Sequence, residues 1–172
     1  MLPTFDTRRL RVRPRSHADL DQCLSMDRDP LVTQFIPGPW SEPDKHRAFV
    51  LNRMDQQYPD GLGYWSVVRK DEPEIFLGWI LLLPYEAVSD EIEIGWRFSR
   101  RSWGHGYATE AASAVLDHAF CSLKLDYVVA DIHPENFASI RVAEKTGMTF
   151  VENRTFGSEP ARSFRAFAKD YL

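Results

Sequence analysis

A chain of 172 residues with 44% apolar and 27% charged side chains has the make-up of one folded globular domain, residues 1–172, and falls outside the disordered, collagenous and membrane-embedded classes. Its 21 basic and 25 acidic residues leave a net charge of −4, so no overall positive field exists to hold nucleic acid or an anionic membrane. The two cysteines, Cys23 and Cys121, have neither CxxC spacing nor paired histidines, and no charged-then-apolar leader opens the chain. The expectation is a cytoplasmic protein with free thiols and no metal.

The first signal is an alternation of charged and apolar side chains over residues 9–13, a half-buried strand closed by Pro14. Ser16 with Asp19 is a helix-start pattern, and Leu20, Cys23 and Leu24 recur at helical spacing until Asp29 and Pro30. After a Gly/Pro-rich loop, Ser41 and Pro43 open a second helix striped by Val50, Leu51, Met54 and Tyr58, expected to end near Asp60. Residues 65–69 and 75–83 read as an antiparallel pair, the second apolar on both faces and therefore central.

Residues 91–98 alternate strictly, with Ile92, Ile94, Trp96 and Phe98 on one face and Glu91, Glu93, Gly95 and Arg97 on a wet or functional one. Ala108, Ala111, Ala112, Val115, Leu116, Ala119 and Phe120 then predict a helix over 107–121 whose alanine stripe packs closely on a sheet. A strand at 127–132, a helix at 136–146 stopped by Gly147, and strands at 148–153 and 162–168 complete the order. One crossover helix among blocks of strands implies an α+β fold with a mixed, largely antiparallel sheet.

The segment between the 91–98 strand and the alanine-striped helix, Arg100-Arg101-Ser102-Trp103-Gly104-His105-Gly106-Tyr107-Ala108, concentrates the chemistry. Glycines at a strand-to-helix turn let backbone N–H groups converge, and the helix start adds unpaired donors and partial positive charge. The result is an anion cradle suited to a pyrophosphate, with Arg100 and Arg101 beside it. A glycine turn with solvated arginines fits the same spacing. A dinucleotide-binding turn is disfavoured, because the third glycine is missing and charges interrupt the strand ahead of it. A P-loop lacks both its second glycine and its lysine.

Arg101-x-x-Gly104-x-Gly106 resembles the acyl-CoA pyrophosphate motif of GNAT N-acetyltransferases, and the run Gly106-Tyr107-Ala108-Thr109-Glu110-Ala111 resembles the RimJ/RimL branch, which acetylates N-termini of ribosomal proteins. Further similarity lies in Thr7-x-Arg9-Leu10-x-Val12-Arg13, in Asn136-x-x-Ser139 leading to Lys145-x-Gly147-Met148, and in Ala168-Lys169-Asp170-Tyr171. Met148 stands where the family usually has Phe. The resemblance implies a splayed, mostly antiparallel sheet of seven strands flanked by about four helices. It also implies acetyl-CoA as co-substrate and direct attack of an amine on the thioester.

On that reading the cofactor lies on the backbone of Arg101, Ser102, Trp103, Gly104, His105, Gly106, Tyr107 and Ala108. Trp96 and Phe98 either line its pantetheine arm or belong to the core. Glu93 is the candidate general base, acting through water, against the alternative of an exposed strand carboxylate. Gly95 marks a place where backbone N–H groups approach the thioester carbonyl. Asn136 and Ser139 are placed at the cofactor's reactive end, with Ser139 protonating the departing thiolate, unless the pair serves only as a helix cap. No histidine is assigned a role.

The acceptor is expected to be a protein or peptide N-terminal α-amine, selected by the Phe35 to Trp40 loop, the second helix and the turn between Glu152 and Arg162. Trp40 and Tyr85 are candidate pocket residues. Acidic residues Glu42, Asp44, Asp55, Glu86, Asp90 and Glu91 would suit a cationic small molecule instead, such as an aminoglycoside, a polyamine or an amino acid. A non-catalytic acyl-CoA-binding module and a homodimer are further possibilities at this level.

Overall fold

The structure is a computed structural model that describes residues 1–85 and 90–171. Its centre is an eight-stranded sheet in the order β1-β2-β3-β4-β5-β6-β8-β7. The strands are β1 (Phe5–Asp6), β2 (Leu10–Pro14), β3 (Gly63–Arg69), β4 (Phe76–Pro84), β5 (Ile92–Phe98), β6 (Tyr127–Ile132), β7 (Thr149–Phe156) and β8 (Glu159–Phe167). The helices are α1 (Leu20–Asp27), α2 (Pro43–Asp55), α3 (Tyr107–Asp117), α4 (Phe137–Lys145) and the short α5 (Ala168–Tyr171). All pairings are antiparallel except that of β5 with β6, which the crossover through α3 makes parallel.

The mixed fold agrees with the expectation, with corrections at its margins. The count of seven strands omits β1, a two-residue strand too short to carry a periodic pattern, and the fifth helix is the Ala168–Tyr171 turn placed partly in the last strand. Helix α2 stops at Asp55 rather than near Asp60, because Gln56 takes an extended backbone, ψ 135°. The last turn of the long helix widens into a π-turn over His118–Ser122, where His118 Nε2 lies 2.9 Å from the Gly61 carbonyl.

The two faces of β5 are set by its register with β4. Ile94 and Trp96 lie beside Leu82 and Ile80 and pack with the alanine stripe of α3. Glu93, Gly95 and Arg97 lie beside Leu83, Leu81 and Trp79, on the face that carries α1 and α2. This second face is covered at Arg97, which is only 9% exposed, and half-buried at Glu93 and Gly95. Strand β4 is buried on both faces from Phe76 to Leu83, as its apolar run demands. No helix among the described residues is long and apolar enough to cross a membrane.

Candidate active site

Strands β5 and β6 are in register only at Glu93 and Val129. Beyond that pair the sheet splays, and backbone groups of β5 that would face β6 are left without a ladder partner. A cavity of about 340 Å³ occupies the split and extends under α1 and α2. It brings together Glu93, Gly95 and Trp96 from β5, Asp131 from β6, and Asn136 and Ser139 from the start of α4.

Asn136 Oδ1 accepts the N–H of Ser139 at 3.2 Å, so Asn136 is the N-cap of α4. Ser139 lines the cavity, and its hydroxyl has no hydrogen-bond partner among the described residues. Trp96 also lines the cavity, with a buried indole N–H that lacks a partner. Phe98 does not; it is buried in the α3-side core.

At the far end of β5 the chain turns through a single 3-10 turn, Arg100–Ser102, into α3. Gly104 and Gly106 both have φ of +77°, a region open to glycine at little cost, and Gly106 is the N-cap of α3. The first helical N–H that closes on the chain is that of Glu110, onto Gly106 O at 3.0 Å. Among the described residues no backbone carbonyl receives the N–H groups of residues 104–109, so they face outward as a row of donors at a helix start. A Cβ on Gly104 would enter open space, and one on Gly106 would stand 3.5 Å from Arg9 Nη2, so it is the positive φ at these two positions, rather than crowding, that favours glycine.

The side chains around this turn brace it. Arg100, with its side chain 60% exposed, pairs with Asp29 at 2.9 Å, and the exposed Arg101 donates to Phe76 O at 3.3 Å. Ser102 is buried against Ser99, Oγ to Oγ 2.8 Å, and the Trp103 indole N–H donates to Phe98 O at 2.9 Å. His105 stacks on Tyr107, and the Arg9 guanidinium lies 4.7 Å from that ring's centroid on its other partner contact. Glu110 then ties α3 to the start of β2: its carboxylate accepts from the Thr7 hydroxyl at 2.6 Å, the Arg9 N–H at 2.8 Å and Arg9 Nε at 2.7 Å. Burial pushes the Glu110 carboxyl up, and these hydrogen bonds together outweigh it and hold the group below its ordinary value.

The cavity is walled by the α1–α2 loop and α2, with Phe35, Ile36, Trp40 and Phe49 on it. Its floor is a buried charge cluster that spacing did not reveal. Arg97 Nη1 donates to Asp27 at 2.7 Å, and the other oxygen of Asp27 lies 3.1 Å from His46 Nε2. The Arg97 guanidinium sits 4.8 and 4.9 Å from the ring centroids of Trp40 and Trp79.

Asp131 and Tyr85 were likewise not linked by the sequence: the Tyr85 hydroxyl donates to Asp131 at 2.7 Å, and burial with that carboxylate pushes the phenol well up. Of the acidic residues considered for a cationic acceptor, Glu42, Asp44, Asp55, Asp90 and Glu91 do not line the cavity, and Glu86 lies outside the described residues. Glu91 is held by Arg154 and Arg165, each at 2.9 Å. The hairpin between Glu152 and Arg162 contributes no wall residue; Arg154 reaches back from it to Glu91 and Asp131.

The acetyltransferase (GNAT) domain family matches residues 9–149 of the chain. Among curated relatives, the uncharacterized protein YkkB of Bacillus subtilis is 36% identical over 144 residues, covering 81% of this chain and 83% of its own. The uncharacterized N-acetyltransferase YnaD of the same organism is 33% identical over 143 residues, covering 83% and 80%. Among solved structures, a GNAT-family acetyltransferase from Bacillus anthracis superposes with a TM-score of 0.82 at 27% identity, covering 97% of this chain and 99% of that one.

Proposed function

The chain belongs to the GNAT acetyltransferase family and is an acetyl-CoA-dependent N-acetyltransferase, and from that premise we propose that its acceptor is a primary α-amine, on a peptide N-terminus or an amino compound of matching size, as in the RimJ/RimL-like branch. The observation that carries this reading is the cavity at the β5–β6 split, which Glu93, Gly95 and Ser139 line together. Acetyl-CoA, bound with its pyrophosphate at residues 101–108, supplies the activated acetyl thioester there.

The protein's own groups then have three tasks. The unladdered backbone of β5 around Gly95 presents N–H donors where negative charge develops on a carbonyl oxygen. Glu93 takes the ammonium proton through water. An α-amine titrates near about 7.7–8.0, so this removal is far easier than from a lysine near about 10.4. The Ser139 hydroxyl, free of protein partners, donates to a departing thiolate. Phe35, Trp40 and Phe49 supply apolar wall, which lowers the local dielectric and strengthens each of these interactions.

Mass spectrometry of amine and peptide libraries incubated with the protein and acetyl-CoA tests the assignment. α-Amines should gain an acetyl group in preference to lysine side chains and polyamines. Acetylation confined to polyamines or lysine ε-amines would overturn it.

A further inference from the structure

The acceptor cavity carries opposite charges at its two ends. At the β5–β6 split stand the carboxylates of Glu93 and Asp131; Oδ2 of Asp131 is held by the Tyr85 hydroxyl and by Arg154, and its Oδ1 is buried with no hydrogen-bond partner. At the other end stands Arg15, just past β2. Its Nη2 is buried without a partner, and no carboxylate among the described residues lies within ion-pair distance of it. Of the other arginines on the cavity, Arg97 is already balanced by Asp27 and Arg53 is exposed, lying over the Phe49 ring. Burial pulls the pKa of Arg15 down, the signature of a guanidinium paying for desolvation without a close counter-ion.

The sheet register fixes how far apart the two ends are. The Arg15 N–H donates to Tyr64 O at 2.9 Å, Tyr64 is paired with Leu81, and Leu81 with Gly95, so the four residues form one row across β2 to β5. The Arg15 guanidinium carbon lies 3.7 Å from the centroid of the Tyr64 ring. Tyr64 is two strands from Gly95, so at about 4.8 Å per strand the guanidinium over its ring stands at least roughly 10 Å from Gly95. An amine in contact with the acetyl group at Gly95 and an anion in contact with Arg15 are then separated by the order of one or two extended residues, each about 3.3–3.6 Å. Two extended residues span at most about 7 Å.

We propose that the acceptor is zwitterionic, with its amine at the Glu93 end and a carboxylate docked on Arg15, in the size class of a dipeptide or an amino acid with a distal carboxylate. A guanidinium fork matches a carboxylate in geometry as well as charge, and the Tyr64 ring beneath it fixes its plane. A polyamine is opposed by the same residue, because its second ammonium would meet an unpaired cation. The inference rests on the α-amine reading above and narrows it.

The test compares alanylalanine with alanylalaninamide, which keeps the shape and the α-amine and removes the carboxylate. With acetyl-CoA saturating, kcat/KM for the acid should exceed that for the amide by about tenfold or more in the wild-type protein. That preference should vanish in Arg15→Gln and return in part in Arg15→Lys, with thermal melting to confirm that both variants fold. Equal use of acid and amide, or neither form bound in calorimetry, overturns the inference. Acetylation of both without preference leaves the α-amine reading intact and removes the anion site. Preferential binding of the acid without acetyl transfer keeps the anion site and removes the α-amine reading.

Discussion

Glu93 and Val129 form the one register pair between β5 and β6 among the described residues, so the carboxylate considered as base sits at the point where the sheet opens. From there it faces the α1–α2 side of the sheet and the acceptor cavity. Substituting Glu93→Gln keeps size and hydrogen bonding but cannot accept a proton. The expected result is a fall in kcat of about a hundredfold or more, steepest below the acceptor's pKa, with little change in KM for acetyl-CoA. A pH–rate profile unmoved by the substitution places the base elsewhere.

Gly106→Val should abolish acetyl-CoA binding in a protein that still folds. Gly106 sits at φ +77°, where a β-branched residue is strained by more than the roughly 1–2 kcal/mol that any L-residue incurs. Its Cβ would also stand 3.5 Å from Arg9 Nη2, beside the first N–H groups of α3. Calorimetric titration with CoA, read beside a melting curve, checks the pair of outcomes.

How much of this was legible in the sequence depends on the range of the interaction. The cradle is local: Gly104, Gly106 and the alanine stripe lie within a few residues of one another, and their spacing alone reports a strand-turn-helix with bare backbone at the bend. The alternation over 91–98 likewise reported two unlike faces, though not that the charged one is roofed by α1 and α2. Asp27 and Arg97 are 70 positions apart, and their meeting depends on how α1 sits on β5, which no local period encodes. Arg15 over Tyr64 and Asp131 beside Tyr85 depend on strand register in the same way. The Glu110 clamp lies between these cases. Thr7-x-Arg9 and Glu110 both stood out as motif residues, but only the fold shows that the two motifs are the halves of one contact.

That clamp makes stability depend on pH in a stated direction. The Glu110 carboxyl is held below its ordinary value of 4.5 in the folded protein, so below that value the unfolded chain binds more protons. The clamp's contribution is fully present above about pH 4.5 and is lost as pH falls through the depressed folded value. Melting temperatures measured from pH 7 down to 3 should therefore decline less steeply for Glu110→Gln than for the wild type. Parallel declines would show that the carboxylate contributes nothing to the acid transition.

Asp27→Ala should be among the most destabilising single changes in the chain. It strands Arg97 in a site where both partners are buried, and it leaves His46, 1% exposed, without its acceptor. Removing one partner of a buried ion pair costs about 3–5 kcal/mol. For a domain of this size that lowers the melting temperature by roughly 6–20 °C. A drop of only a degree or two would mean that water or a neighbouring group replaces the carboxylate.

Ser139→Ala isolates the leaving-group step. Asn136 caps α4 through the Ser139 backbone N–H, which alanine retains, so the helix start should survive the change. The hydroxyl has no protein partner to lose, so its removal should leave the melting temperature within about 0.5 kcal/mol of wild type in stability terms. What it removes is a donor on the cavity wall next to the β5–β6 split. Loss of kcat by about ten- to a hundredfold with unchanged CoA affinity is the expected result, at the low end of general-acid effects because water can take the hydroxyl's place. The leaving group itself makes a second arm. A thiol titrates near about 8.5, so raising the pH stabilises the free thiolate and should narrow the gap between Ser139→Ala and wild type. Wild-type turnover in the variant, or a gap that does not narrow with pH, would assign the proton to another donor and leave Ser139 as a residue of the helix start.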